Sequence, residues 1–406
     1  MGSQKSRICT RRDFIQAMTG TVLGLTTLGM SQAARIQGSE SLMLGGLIND
    51  YVARHIWGPY WQSTDPLGTM RENGLSWMTS WLYTTSSSYL ANTPPEKWSS
   101  LPWRDEYWAS LEYVTHFFKK ISADGYRFHL LLGFSDQHPY PCHQIIPAEW
   151  RDLSDGELSN AVQGYAYQTA QHFIDEDLNV ELYTLGNEIE FGILNTLPGQ
   201  NCVPPGIDVF TDLNYLRQFV WPLEARLLRS AIQGISEANP TAMISLHPNS
   251  VGKSRGHQHL KAFLYSMLQG NVEFDYVSYT YPQPEVELIE GTRPYYHSFA
   301  FSDLMNFTAS IGKQALIGEC FYPHSSNRII ASPDPGYPFS PEGQAKWLRD
   351  FLSFSGDHNV IAGLIYWYPE YFPGYSMDLS LSEDYTGLFL SETEPSPAME
   401  EFRKYA

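Results

Sequence analysis

The stretch Val180–Ile189 reads VELYTLGNEI. Its first part, Val180 to Leu185, is short, apolar and rich in β-formers, which predicts a strand. Gly186 then permits a turn. Asn187 and Glu188 put an amide and a carboxyl directly past the apolar run. An acid next to a buried strand is costly unless it opens onto a polar hollow. Ala315–Cys320, ALIGEC, repeats the form, with Glu319 just past a strand over Ala315–Gly318.

Outward from these two points the chain alternates strand-like and helix-like runs. Further strands are expected over Leu42–Ile48, Leu75–Tyr83, Tyr126–Phe134, Ala242–Leu246, Phe274–Tyr279 and Ile361–Tyr366. Several are almost continuously apolar, which suits parallel strands covered on both faces. Helices are expected over Arg104–Ser122, Asp155–Ile174, Leu213–Glu237, Gln258–Leu268, Ser298–Ile311, Ser340–Ser355 and Pro395–Tyr405. Asn239-Pro240 stops the third, and Ser340-Pro341 caps and opens the sixth. Eight strands alternating with helices predict an α/β fold, a single-domain (β/α)₈ TIM barrel over residues 34–406. A doubly wound open sheet is the runner-up. It wants a glycine-rich phosphate loop after strand one, and Gly45-Gly46 does not supply one.

The 406 residues are 43% hydrophobic and 17% charged, enough apolar matter for a large core and too little charge for a disordered polyelectrolyte. A net charge of −18 disfavours a nucleic-acid partner. Residues 1–33 read as a signal peptide. Arg11-Arg12 stand in a twin-arginine pattern, a mild apolar run follows from Ala17 to Met30, and Ser31-Gln32-Ala33 is a small-x-small cleavage site. The run is too short to anchor well in a bilayer. The expected partner for export is the twin-arginine machinery, with no membrane association after signal removal and a periplasmic or extracellular destination. Beyond the signal stand Cys142, Cys202 and Cys320, an odd number, so one thiol stays free.

In a barrel, Glu188 and Glu319 fall on the same rim. One reading is a pair of structural carboxylates. The other is a paired-carboxylate site for glycoside hydrolysis, where one carboxyl protonates the leaving oxygen and the other attacks the anomeric carbon or activates water. Asn187 would hold a sugar hydroxyl beside the reacting centre.

Finer strings carry a resemblance. GFSD at Gly133–Asp136, LGNEIEF at Leu185–Phe191, ECFYP at Glu319–Pro323, YPFSPEGQA at Tyr337–Ala345, GLIYWYP at Gly363–Pro369 and TGLFLSETEPSPAM at Thr386–Met399 follow in order. Together they resemble glycoside hydrolase family 53, the arabinogalactan endo-β-1,4-galactanases, within the retaining (β/α)₈ glycosidases. The resemblance spans about residues 65–402. It implies Glu188 as acid/base, Glu319 as nucleophile and carboxyls ~5–5.5 Å apart. It implies a galactose-containing polysaccharide or oligosaccharide as substrate, with no cofactor and no catalytic metal.

There are departures from the family pattern. Trp77-Met78-Thr79-Ser80-Trp81 lacks the arginine that the family carries at the end of strand two. His138 is displaced from the string after strand three. No tryptophan follows Glu188 closely. Such changes leave open a different β-glycan substrate, or a barrel that only binds glycans.

Candidate substrate contacts besides Asn187 are Trp81, Asp136, His247, Asn249, Tyr279, Tyr281 and Trp367, each at or just past a strand end. Flat aromatic faces stack on sugars. His257 and His259 read as solvated residues of a helix start. Cys320 reads as packing. Asp378, Glu383 and Asp384 lack a regular calcium-ligand pattern.

Overall fold

The structure, a computed structural model, describes residues 42–48, 64–83, 109–134, 146–194, 206–207, 212–248, 256–281, 295–326, 336–374 and 385–406. Eight parallel strands close into a barrel in sequence order. They are β1 (Met43–Leu47), β2 (Trp77–Leu82), β3 (Arg127–Leu132), β4 (Val180–Leu185), β5 (Met243–Leu246), β6 (Tyr276–Thr280), β7 (Gln314–Cys320) and β8 (Ile361–Trp367). β1 pairs with β8, so the described barrel has no free edge. The single (β/α)₈ domain read from the sequence is the fold observed, and residues 42–406 form one compact unit.

Helices cover the outside: α1 (Pro66–Glu72), α2 (Leu111–Ser122), α3 (Asp155–Asp175), α4 (Trp221–Ala238), α5 (Gly256–Gln269), α6 (Phe299–Ser310), α7 (Pro341–Gly356) and the short α8 (Met399–Phe402). Their starts follow local chemistry. Ser154 and Glu157 form a capping box on α3. Ser340 caps α7, with Pro341 in the first turn, where its missing N–H costs nothing. Among the described residues no helix is long and apolar enough to cross a membrane.

Alternation along each strand gives two cores. Met43, Leu47, Trp77, Leu131, Leu182, Leu316 and Ile365 fill the barrel interior. The opposite faces pack under the helices, with α2 offering Val114, Phe117, Phe118 and Ile121. The interior also holds a polar layer. His129 pairs through Nδ1 with Thr79 Oγ1 at 2.8 Å and through Nε2 with Thr184 Oγ1 at 2.7 Å. His247 Nε2 lies 3.0 Å from Thr280 Oγ1.

One helix expectation is refined and one corrected. The helix expected over Leu213–Glu237 is present from Leu213 to Ala238, with a π turn over Leu216–Val220 between its first turn, Leu213–Tyr215, and α4. Pro222 has no N–H to donate to the preceding turn, which breaks the regular ladder. The helix expected over Pro395–Tyr405 shrinks to α8. A small antiparallel pair, β9 (Phe389–Ser391) and β10 (Glu394–Pro395), precedes it. Pro395 and Pro397 exclude a helix there.

Candidate active site

Glu188 sits immediately beyond β4, in the turn Gly186-Asn187-Glu188. Gly186 has φ +70°, and a Cβ there would lie 2.2 Å from Ile189 Cγ2. Glu188 itself is left-handed, φ 51°, ψ 52°. That conformation strains a residue with a Cβ by about 1–3 kcal/mol. The turn is pinned by two backbone bonds, Gly186 N–H to the Leu132 carbonyl at 2.8 Å and Ile189 N–H to the His247 carbonyl at 3.1 Å.

Glu319 is placed differently from the expectation. It is the penultimate residue of β7 rather than a residue beyond it. Leu316 opposes Ser278 and Ile317 opposes Tyr279, but Glu319, not Gly318, opposes Thr280. The extra residue is a bulge. Strict alternation from Ile317 would put Gly318, not Glu319, on the interior face. The bulge instead brings Glu319 into phase with Thr280, whose hydroxyl points inward to His247. Glycine at 318 leaves room for Ser278, since a Cβ there would fall 1.9 Å from its Oγ and 3.2 Å from its Cβ. The Glu319 carbonyl accepts the Tyr281 N–H at 2.8 Å.

The two carboxyls thus stand on the C-terminal rim of one closed parallel barrel, and they interact. Burial, then the charge of Glu188, push the Glu319 carboxyl up to about 8. The residue is partly exposed while its Oε1 is shielded from solvent. Among the described residues no cationic side chain offsets this, and the β2 position that the sequence left without arginine carries Thr79 and Ser80, both buried. A carboxyl pair of this kind resists double ionisation, so one proton is retained across neutrality. One proton on two carboxyls is what combined acid and nucleophilic chemistry requires.

The other sequence-predicted site residues divide. Asn187 is buried beside Glu188. Trp81 is nearly buried at the end of β2, 6.0 Å from the Tyr83 ring. Trp367 ends β8, half-buried and stacked on Phe321 at 5.1 Å. His247 is fully buried, its ring meeting Thr280, and burial lowers its pKa to about 3. Tyr279 and Tyr281 are corrections. Tyr279 is sealed under α6, its hydroxyl 2.8 Å from Thr308 Oγ1. Tyr281 packs against Phe301, Trp347 and Phe351, and its hydroxyl accepts the Tyr296 N–H at 3.1 Å. Both take the outward phase of β6, so they serve the helix layer. Asp136, Asn249, Cys142, Cys202, Asp378, Glu383, Asp384 and the signal segment lie outside the described residues. Cys320 is buried, and burial pushes its thiol pKa well up, so it packs.

Sequence reasoning missed two features. The polar layer around His129 is one, and only the histidine in the otherwise apolar run FHLLL hinted at it. The second lies behind Glu188. Glu190 and Glu224 are both buried, and His259, expected in solvent, is buried with its Nε2 3.4 Å from the Glu190 carbonyl. A three-residue offset from the start of α5 turns His259 inward.

Residues 92–402 match the family model of glycosyl hydrolase family 53. The chain belongs to that family. This glycoside hydrolase is 27% identical to a probable arabinogalactan endo-beta-1,4-galactanase A of Aspergillus terreus over 280 residues, 64% of this chain and 69% of the relative. It is 25% identical to an arabinogalactan endo-beta-1,4-galactanase of Thermothelomyces thermophilus over 294 residues, 68% of this chain and 77% of that one. Its fold matches the family 53 catalytic domain of Ignisphaera aggregans with a TM-score of 0.68 at 20% identity, covering 91% and 97% of the two chains.

Proposed function

We propose that this glycoside hydrolase cleaves β-linked galactose-containing polysaccharide, in the manner of an endo-β-1,4-galactanase, by double displacement. The observation that carries the reading is the electrostatic coupling of Glu188 and Glu319 across one barrel mouth. The relatives named as galactanases support the choice of sugar. The reactive form is the one in which Glu188 carries the pair's proton and Glu319, although its site raises its pKa to about 8, is ionised. Glu319 attacks the anomeric carbon and the leaving oxygen takes the Glu188 proton, giving a glycosyl-enzyme. Glu188, now ionised, takes a proton from water. The water oxygen displaces Glu319, and anomeric configuration is retained.

Asn187 holds a sugar hydroxyl, and Trp81 and Trp367 offer aromatic surface to the sugar chain. No step calls on a metal or cofactor. We also infer export through the twin-arginine route, supported by Arg11-Arg12. N-terminal sequencing of the exported protein should then begin at Ala34.

The test is a panel of purified β-glycans scored for new reducing ends, with Glu319→Ala alongside. Galactan is expected to be cut, and the variant to lose at least ~10⁴-fold in turnover. Azide should partly restore that variant, giving a glycosyl azide of inverted configuration. Galactan left intact beside another cleaved polymer retires the substrate. Binding without cleavage of any glycan retires the mechanism.

A further inference from the structure

The helical segment between β4 and β5 runs past the active site. Its lower end is fixed at the start of β4, where the Asn239 side-chain amide donates to the Val180 carbonyl at 3.0 Å. Trp221 stands level with the C-terminal rim, because its indole N–H donates at 2.9 Å to the carbonyl of Glu190, in the turn that follows Glu188. The helical residues before Trp221, Leu213–Tyr215 and Leu216–Val220, therefore continue outward beyond that turn. At ~1.5 Å per residue they carry the chain about 10 Å past it. α3 does not accompany them. It starts at Asp155, whose carboxylate pairs with Arg226 on α4 at 3.5 Å, lower on the wall.

This outward segment buries one side only. Leu216 and Val220, four residues apart, are fully buried. Tyr215 and Phe219, also four apart, occupy the neighbouring flank. Phe219 is 57% exposed and Tyr215 half-buried. Their ring centroids lie 5.1 Å apart, with the planes tilted by 41°. The pair is set in advance of any ligand. The Tyr215 N–H donates to the Asp212 carboxylate at 3.2 Å, and the buried Leu216 and Val220 anchor the turn. Next to the two aromatics in the chain, Asn214 and Gln218 are exposed amides.

Size and chemistry decide what such a surface takes. A stable protein partner needs ~800 Å² a side. Two aromatic rings offer ~150–250 Å² each when whole, and these are partly covered already. A sugar unit fits that area. Its C–H face stacks on a ring while its hydroxyls meet amides. A polymer threaded through the barrel mouth reaches the pair by continuing outward along the wall that carries Glu188.

We propose that Tyr215 and Phe219 form a sugar-binding platform outside the catalytic hollow, holding a further stretch of the neutral polysaccharide that is cut between Glu188 and Glu319. The proposal rests on the reading of that polysaccharide as a β-linked galactan. The platform serves the polymer and not the reacting sugar, so short substrates do not use it.

Two measurements test it. In the first, kcat/KM is compared on galactan and on an aryl β-1,4-galactobioside. Phe219→Ala is expected to lose about 3–10-fold on galactan, through KM, and to stay within about twofold of the parent on the galactobioside. Equal loss on both, or no loss on galactan, overturns the platform. The second needs no turnover: migration through gels containing galactan, with Glu319→Gln as the starting protein so that the polymer stays whole. Adding Phe219→Ala should weaken the retardation about 3–10-fold, and adding Phe219→Trp should keep it. Retardation unmoved by Phe219→Ala overturns the proposal. If Phe219→Ala does not accumulate as folded protein, Phe219→Leu, which keeps apolar bulk without a flat face, decides by the same readings. Sedimentation covers the rival occupant. A parent dimer that Phe219→Ala dissociates makes the pair a contact between copies and overturns the platform. A parent that leaves galactan intact and cuts another β-glycan retires the substrate reading alone, and the platform is then judged on that glycan by the same ratio.

Discussion

The carboxyls of Glu188 and Glu319 act on each other across the mouth of the barrel, and the charge of Glu188 adds to burial in raising Glu319 to about 8. Glu319 therefore binds its proton more tightly in the folded chain than in the unfolded one. A group raised in this way stabilises the fold below its unfolded value, and that contribution fades as pH climbs from about 4.5 to about 8. Glu319→Gln is always neutral and has no such fade. Its thermal stability should match the parent near pH 4.5 and exceed it by on the order of 1–3 kcal/mol at pH 9. Melting curves across that range check this. A gap independent of pH would mean that the carboxyl is not held protonated by its site.

Much of this site was legible because the chemistry is local. VELYTLGNEI gives β4, its stopping glycine and the acid in consecutive residues, and the structure reproduces the strand bounds Val180–Leu185. Glu319 was legible as an acid at a strand end but not as part of β7, because a bulge depends on what the neighbouring strand offers. Here that is Ser278 against Gly318. Tyr279 and Tyr281 were misread for the same reason. Both sides of a parallel barrel strand are apolar, so alternation does not say which face looks inward. His259 and Glu224 were out of reach, since their burial depends on how α4 and α5 meet, far apart in the chain.

The interior histidines predict an acid limit. His129 and His247 are both lowered to about 3 by burial. Below the unfolded value of 6.5 the unfolded chain takes up protons that the folded barrel refuses. Each histidine then costs roughly 1.4 kcal/mol of stability per pH unit until its folded value is reached. Denaturant unfolding of His129→Gln should show a shallower fall between pH 6 and pH 4 than the parent. An unchanged slope would mean that water or relaxation lets His129 charge inside the barrel.

Gln344 predicts a stability loss far from the chemistry. It is fully buried on α7, and its Nε2 reaches the carbonyls of Tyr322 at 2.8 Å, Gly387 at 2.9 Å and Thr386 at 3.3 Å. Its Oε1 accepts the Ser396 hydroxyl at 2.5 Å. One side chain thereby ties the exit of β7 to the C-terminal segment. Gln344→Leu keeps the volume but takes from the Gly387 carbonyl and the Ser396 hydroxyl their Gln344 partner. It leaves the Tyr322 and Thr386 carbonyls with the Tyr366 hydroxyl alone, and the change should cost about 3 kcal/mol. Equilibrium unfolding measures it, and a loss under 1 kcal/mol would mean that these carbonyls find other donors.

Trp367 offers a contrast, because its effect should fall on substrate and not on stability. It ends β8 half-buried, its ring stacked on Phe321 at 5.1 Å and on Tyr368 at 4.4 Å, so the ring is fixed before any sugar arrives. A preset aromatic face spares the ordering cost of binding. Trp367→Ala should weaken sugar contact by about 1–2 kcal/mol, a ~5–30-fold loss in kcat/KM on galactan. Circular dichroism and melting should place the folded variant near the parent. If Trp367→Ala lowers stability and leaves kcat/KM intact, the ring packs the loop around Phe321 and does not meet sugar.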